Sequence, residues 1–294
     1  MEAVALELTT LYAMHETQSL MQQMQRRQAS ERRINNSIIE LHNQTASTVD
    51  DYLLTQYEDG YIGAQYRIIR QGVPVATPLN GDVQVFAISR PMGDMTYTNR
   101  LDRNTNNYLR TARNVILGAA AGLLLYECIR RITRASAAGL NSAARIVRTE
   151  GGRATSQGKF EAMQRAKDRG ADVKKQWDST LDGKTRPSHQ TLDQQIREVD
   201  EEFISGLGNT AMYPRGFGVK QEDINCRCVL LQRAAWAMDD ESYERMAEVG
   251  GIKTLVNARN YEEFKKGHFE VARQVDNQAQ QIIRETQLQR FFRG

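Results

Sequence analysis

Apolar residues recur at helical spacing through much of the first half of the chain, and this period predicts long helices with one buried stripe. Val4, Leu8 and Leu11 share a face, Met14, Leu20, Met21 and Met24 continue it, and Ile34, Ile38 and Leu41 repeat the interval. Gln, Arg and Thr fill the other faces, so the segment reads as an arm that lays one stripe over its neighbours. Thr48 followed by Asp51 has the form of a capping box and predicts a fresh helical start. Between residues 60 and 98 the pattern breaks. Gly60, Gly63, Gly72, Pro74, Pro78, Gly81, Pro91 and Gly93 punctuate it. They predict loops, one hairpin using the run 83–88, and a compact turn at 90–93.

Residues 99–150 return to helical spacing, in three pieces: from Asn104-Thr105 toward Tyr126, over 127–134, and after a small-residue break at 135–139 to a stop at Gly151-Gly152. A short helix over 156–175 turns Phe160, Met163 and Ala166 inward. From Val173 the period shortens. Val173 and Trp177 can face one side of a strand, and Val229-Leu230-Leu231 reads as a second buried strand. Trp177 and Trp236 bracket this stretch. A helix is then expected from Asp239 or Asp240 to Gly250, another from Asn260 with Glu263 to Gly267, and a Gln- and Arg-rich helical tail over 269–294. The fold class is mainly α with a small α+β module: an extended helical N-terminal region and a compact C-terminal module. The domains follow as a helical arm (1–60), a loop-plus-helix Arg-rich region (61–155), the module (156–238) and a helical tail (239–294).

Composition changes this picture in two places. At 294 residues and 40% hydrophobic the chain can bury a core, and five prolines leave room for long helices. The net charge of +3 conceals a local excess: residues 100–153 hold ten arginines, no lysine, and only Asp102, Glu127 and Glu150 as acids. Guanidinium groups suit phosphate or carboxylate, so Arg100, Arg103, Arg110, Arg113, Arg130, Arg131 and Arg134 are candidates for binding DNA or a partner protein. A solvated helix face is the plainer reading. Three cysteines without a basic leader at the N-terminus point to a reducing compartment. The apolar run 115–126 is shorter than the roughly 20 residues a spanning helix needs, so no membrane role is expected.

Candidate chemistry concentrates between Trp177 and Cys228. His189, Cys226 and Cys228 offer an imidazole and two thiolates, a donor set for zinc, with a carboxylate such as Asp182, or a water, as the fourth ligand. The alternative is that both cysteines and the histidine are packing residues. Asp182, Arg186 and His189 could also serve as acid, anion clamp and base. No His-Glu-x-x-His, Gly-x-Ser-x-Gly, P-loop or Gly-x-Gly-x-x-Gly signature is present, so no catalytic residue is assigned. Trp177, Asp178, Arg186 and Asp193 are expected to hold the module together.

In linked order, the sequence contains Tyr-Thr-Asn-Arg-Leu (97–101), Arg-Ile-Val-Arg-Thr-Glu (145–150), Trp-Asp-Ser-Thr-Leu-Asp-Gly-Lys-Thr-Arg-Pro-Ser-His (177–189), Leu-Asp (192–193) and Ile-Asn-Cys-Arg-Cys (224–228). Over roughly residues 60–235 this resembles the tailed-phage minor head protein, or head morphogenesis, family, which includes the F protein of phage Mu. The resemblance implies a non-enzymatic virion protein. Such a protein is present in a few copies in the head near the portal vertex, contacts portal and major capsid protein, acts in head assembly and DNA packaging or delivery, and occupies the host cytoplasm during assembly. It also implies sequence-blind binding to double-stranded DNA in some members. Many relatives have a cysteine pair in the region of Thr185–His189 and His-Pro before the last cysteines, where this chain has Asp223-Ile224. The alternative is a virion-carried metal-dependent nuclease or transferase centred on Asp182, Arg186 and His189.

Overall fold

A computed structural model describes residues 2–15, 31–70, 88–120, 124–234, 244–249 and 252–267. Four helices form its scaffold: α1 (Glu2–Met14), α2 (Glu31–Arg70), α3 (Tyr97–Ala120) and α4 (Leu125–Asp168). Of the stripe read from the sequence, Val4, Leu8, Ile34, Ile38 and Leu41 are buried, Leu11 is half-buried and Met14 is exposed, while Leu20, Met21 and Met24 lie outside the described residues. Ile34, Ile38, Leu41, Thr45, Val49, Leu53, Tyr57 and Ile68 all lie on the inner face of α2. The capping-box start expected at Thr48 does not occur, because α2 runs through it.

Side-chain pairs fix the helix directions. Tyr97 Oη donates to Asp50 at 2.7 Å and Thr105 Oγ1 meets His42 Nδ1 at 2.8 Å, so α3 runs antiparallel to α2. Ser142 meets Asn104 at 2.7 Å, so α4 folds back along α3. Tyr52 faces Gly151 and Tyr57 faces Gly158, so α4 runs parallel to α2.

Glycine spacing misled the element boundaries. Gly60 was expected to open a loop region and Gly151-Gly152 to end a helix. Instead α2 continues to Arg70 and α4 to Asp168. The expected boundaries near 60 and 155 therefore fall inside continuous helices. The reason is packing: a Cβ at Gly60 would lie 2.3 Å from Thr155 O, and one at Gly158 would lie 2.2 Å from Tyr57 O. These glycines let the two backbones touch, and the helix bears their propensity cost of about 1 kcal/mol each.

The C-terminal ends of α2 and α4 carry the module. Its sheet has the order β2-β1-β5, with β1 (Val173–Asp178) paired antiparallel to β2 (Ile196–Glu198) and β5 (Val229–Ala234), Trp177 opposite Leu230. Two one-turn helices, α5 (Pro187–Gln190) and α6 (Lys220–Asp223), and a small ribbon of β3 (Phe203–Ile204) and β4 (Thr210–Ala211) complete it. Trp177, Phe203, Leu192 and Leu230 form its core against Phe160, Met163 and Ile68 of the helices.

Where a helix was expected after Asp239–Asp240, residues 244–249 form β6 (Glu244–Val249), hairpinned to β7 (Ile252–Asn257). The following short helix, α7 (261–267), is capped as its sequence predicts, with Asn260 Oδ1 accepting from Glu263 N at 3.0 Å. The strand expected at 83–88 falls, all but Ile88, outside the described residues, as do Trp236 and the 269–294 tail.

Candidate functional site

The two ends of the module meet at one buried polar knot. Pro187 opens α5 at a position where its missing N–H costs nothing, and the turn brings His189 inside at 1% exposure. After α6, Asn225 adopts the left-handed backbone region (φ 57), which asparagine tolerates better than most residues. The chain then runs extended into β5. Alternate residues of an extended chain share a face, so Cys226 and Cys228 point inward together and Arg227 points away. Each Sγ lies 3.5 Å from His189 Nδ1.

The other ring nitrogen, His189 Nε2, lies 2.9 Å from Glu222 Oε2. Glu222 is fully buried and also accepts from Ser205 Oγ at 2.7 Å, Ser188 Oγ at 2.9 Å and Asn209 Nδ2 at 3.2 Å. Burial opposes its ionisation, yet the donors Ser205, Asn209 and Ser188 outweigh that and hold the carboxyl below its ordinary range. An ionised Glu222 can only accept, which assigns the ring proton to Nε2 and leaves the Nδ1 lone pair facing the sulfurs. A hydrogen bond from Cys228 draws the Cys226 thiol down to about 7, while Cys228, which keeps the shared proton, is pushed well above the usual thiol value.

The remaining sequence candidates have different tasks. Asp182, expected as a fourth metal ligand, does not join this group. It receives Arg227 Nη2 at 2.9 Å, Lys184 N at 2.9 Å and Thr185 Oγ1 at 3.2 Å, because Arg227 sits on the opposite side of the strand from the thiols. Arg186 donates to the carbonyls of Glu222 (3.2 Å) and Ile224, fastening the end of α6. Asp178 and Asp193 share Arg245 of β6 at 2.7 and 2.8 Å. Trp177 lies edge-on to His189 and Phe203, with ring centroids 5.8 and 5.3 Å away. Arg186 and His189 thus both reach Glu222 and line one small cleft, whereas Asp182 is held by Arg227 and does not join them.

Two central residues escaped the sequence reading. Glu222 had one signal, an acid four residues before Cys226. Arg245 had none, since its carboxylate partner Asp193 is 52 positions away.

The arginines divide. Arg100 is buried, and with Arg153 it encloses the side chain of Glu150 (Arg153 Nε to Glu150 Oε2, 2.7 Å). It is part of the core and out of reach of a phosphate. Arg103, Arg110, Arg113, Arg131 and Arg134 are exposed on α3 and α4. Arg113 lies 3.7 Å from Glu31, and Arg130 and Arg131 meet Glu127 at 2.7 and 2.9 Å. Thr111, Asn114, Arg131, Arg134 and Ala135 line a groove between the two helices.

Residues 111–231 match the family described as Phage Mu protein F like protein. That segment is similar to the corresponding part of phage minor head proteins. The Mu F-like segment contains most of the α3–α4 hairpin and the whole polar knot. The chain is 27% identical over 231 residues to Minor head protein GP7 of Bacillus phage SPP1, covering 74% of this chain and 71% of that protein. It is 34% identical over 201 residues to NAD(+)--arginine ADP-ribosyltransferase EFV of Enterococcus faecalis, covering 67% of this chain. The chain spans 41% of that relative's length. No solved structure gives a significant match.

Proposed function

We propose that this Mu F-like protein is a structural minor component of a tailed-phage head, held at the portal or inner capsid in several copies and acting in head assembly and DNA packaging or delivery. The observation that carries this reading is the match to a minor head protein over nearly three quarters of both chains. The architecture supports it. Ile39, Ile62, Tyr66 and Ile69 of α2 stand exposed along a helix of 40 residues, as in a chain that completes its burial against neighbours. The exposed arginines on α3 and α4 suit either packaged DNA or an acidic protein surface. Among the described residues no helix is long and apolar enough to cross a membrane.

The test is assembly with and without the chain. Co-sedimentation with portal or procapsid, and heads of lower infectivity when the chain is omitted, are the expected results. Heads of full infectivity without it, and no association with either partner, would overturn the proposal. A second reading, group transfer, is favoured by the name of the enterococcal relative. Incubation of the purified chain with NAD+ and an arginine-rich acceptor separates the two: cleavage of the nicotinamide bond supports transfer, and intact NAD+ supports the structural reading.

A further inference from the structure

The polar knot has the form of a metal site with its ligand orientation already set. We propose that His189 Nδ1, Cys226 Sγ and Cys228 Sγ bind one zinc ion, with Glu222 fixing the imidazole from behind and the fourth position open to the cleft beneath Lys184, Arg186 and Asn225. The assignment is independent of the head-protein reading.

Four observations carry it. Among the described residues, these three side chains are a group whose ligand atoms all lie within 4.8 Å of one another. Zn–S bonds of about 2.3 Å and a Zn–N bond of about 2.0–2.1 Å at tetrahedral angles place sulfur and nitrogen about 3.6 Å apart. Both sulfurs lie 3.5 Å from Nδ1. Nδ1 offers a single in-plane lone pair, which can accept one good hydrogen bond. Two thiols at equal distance from that lone pair suit a shared ion better than two S–H donors. Finally, the Glu222–His189 bond of 2.9 Å is the carboxylate–histidine arrangement that fixes the tautomer and raises the basicity of metal-bound imidazoles.

A nucleophilic cysteine activated by His189 and Glu222 uses the same atoms but fits less well. Cys226 and Cys228 are 1% and 2% exposed, so no substrate carbonyl reaches them. A nucleophile–base pair also needs one sulfur and not two. Two thiolates and an imidazole favour zinc over calcium or magnesium, which take oxygen ligands. Asp182 and Thr185 are bound to each other and to neighbouring groups, and water takes the fourth position. The ion ties the start of β5 to α5.

The full chain, expressed with zinc and gel-filtered, should contain one zinc per molecule by plasma mass spectrometry. Cobalt exchanged into the wild-type chain should show thiolate-to-cobalt charge-transfer absorption and the intense visible bands of tetrahedral cobalt. This spectrum reads the site without any substitution, so it decides even if Cys226→Ser or Cys228→Ser fails to fold. Glu222→Gln keeps every direct ligand and should weaken metal affinity about 10- to 100-fold. Asp182→Asn should leave affinity unchanged. Substoichiometric metal, a cobalt spectrum without charge transfer, or a thermal melt unmoved by chelator would each overturn the proposal.

Discussion

Glu150 is enclosed between two guanidinium groups, and that one contact explains why the Arg-Thr-Glu stretch can sit inside a helix bundle. Arg100 and Arg153 are 8% and 7% exposed, and Arg153 also donates to Ile88 O at 3.0 Å. Removing the shared carboxylate leaves two buried cations. Glu150→Gln is therefore expected to cost about 3–5 kcal/mol, read from urea unfolding. Lys175 is a second buried charge, on the core face of β1 between Val173 and Trp177. Its Nζ donates to Met212 O at 3.0 Å and lies 5.1 Å from the ring centroids of Phe160 and Phe203. Burial lowers both Lys175 and Lys159 to about 8. The unfolded chain thus holds more protons on these lysines between pH 8 and their ordinary value of 10.5. Stability should rise with pH across that window, by up to about 1.4 kcal/mol per unit for each lysine. Buried Tyr57 and Tyr97 keep their protons in the fold, so they oppose the trend above about pH 10. Urea midpoints at pH 8, 9 and 10 should climb for the wild type, and about half as steeply for Lys175→Met.

At the scale of elements, close contact between α2 and α4 is the feature most exposed to mutation. A methyl group at Gly158 meets the Tyr57 carbonyl and the Tyr61 amide, both backbone atoms that cannot swing aside. Gly158→Ala should cost about 1–3 kcal/mol despite its better helix propensity. Gly183→Ala, with nothing within 4 Å of the new carbon, should be nearly silent. Differential scanning calorimetry of the two variants checks the contrast. The same contact shows why helix ends were hard to read: a glycine reads as a stop when only the chain neighbours are known, and as a packing face once a second helix lies against it. The β6–β7 hairpin makes the same point. Its strands are set by pairing with each other, by Glu248 N donating to Leu181 O at 3.0 Å and by Arg245 reaching Asp178 and Asp193. Local helical periodicity carries none of that information.

For the whole molecule, the arginine-lined groove and the polar knot lie on different elements. Exposed Arg131 and Arg134 flank the α3–α4 groove, while the knot sits where β5, α5 and α6 meet. If the groove binds duplex DNA, affinity must fall steeply with salt as counterions are released. Replacing Arg131 and Arg134 with Ala should flatten the slope of log K against log salt by about 1 per lost phosphate contact, equally for any sequence. A salt-independent slope would direct the groove toward a protein partner. This measurement is separate from the metal test, because none of the residues lining the groove is among the hydrogen-bond partners of His189, Cys226 or Cys228.

The sequence by itself determined most of the helical stripes, the two central strands and the fold class, and it named His189, Cys226 and Cys228 as candidates. These follow from local period and from residue types with few uses inside a protein. The tertiary structure alone decided which arginines are surface and which are core, that Asp182 belongs to Arg227, that Glu222 stands behind the imidazole, and that glycines at 60 and 158 join helices. Each of these depends on a partner far along the chain, and a buried charge or a bare backbone has a defined role only once that partner is in place.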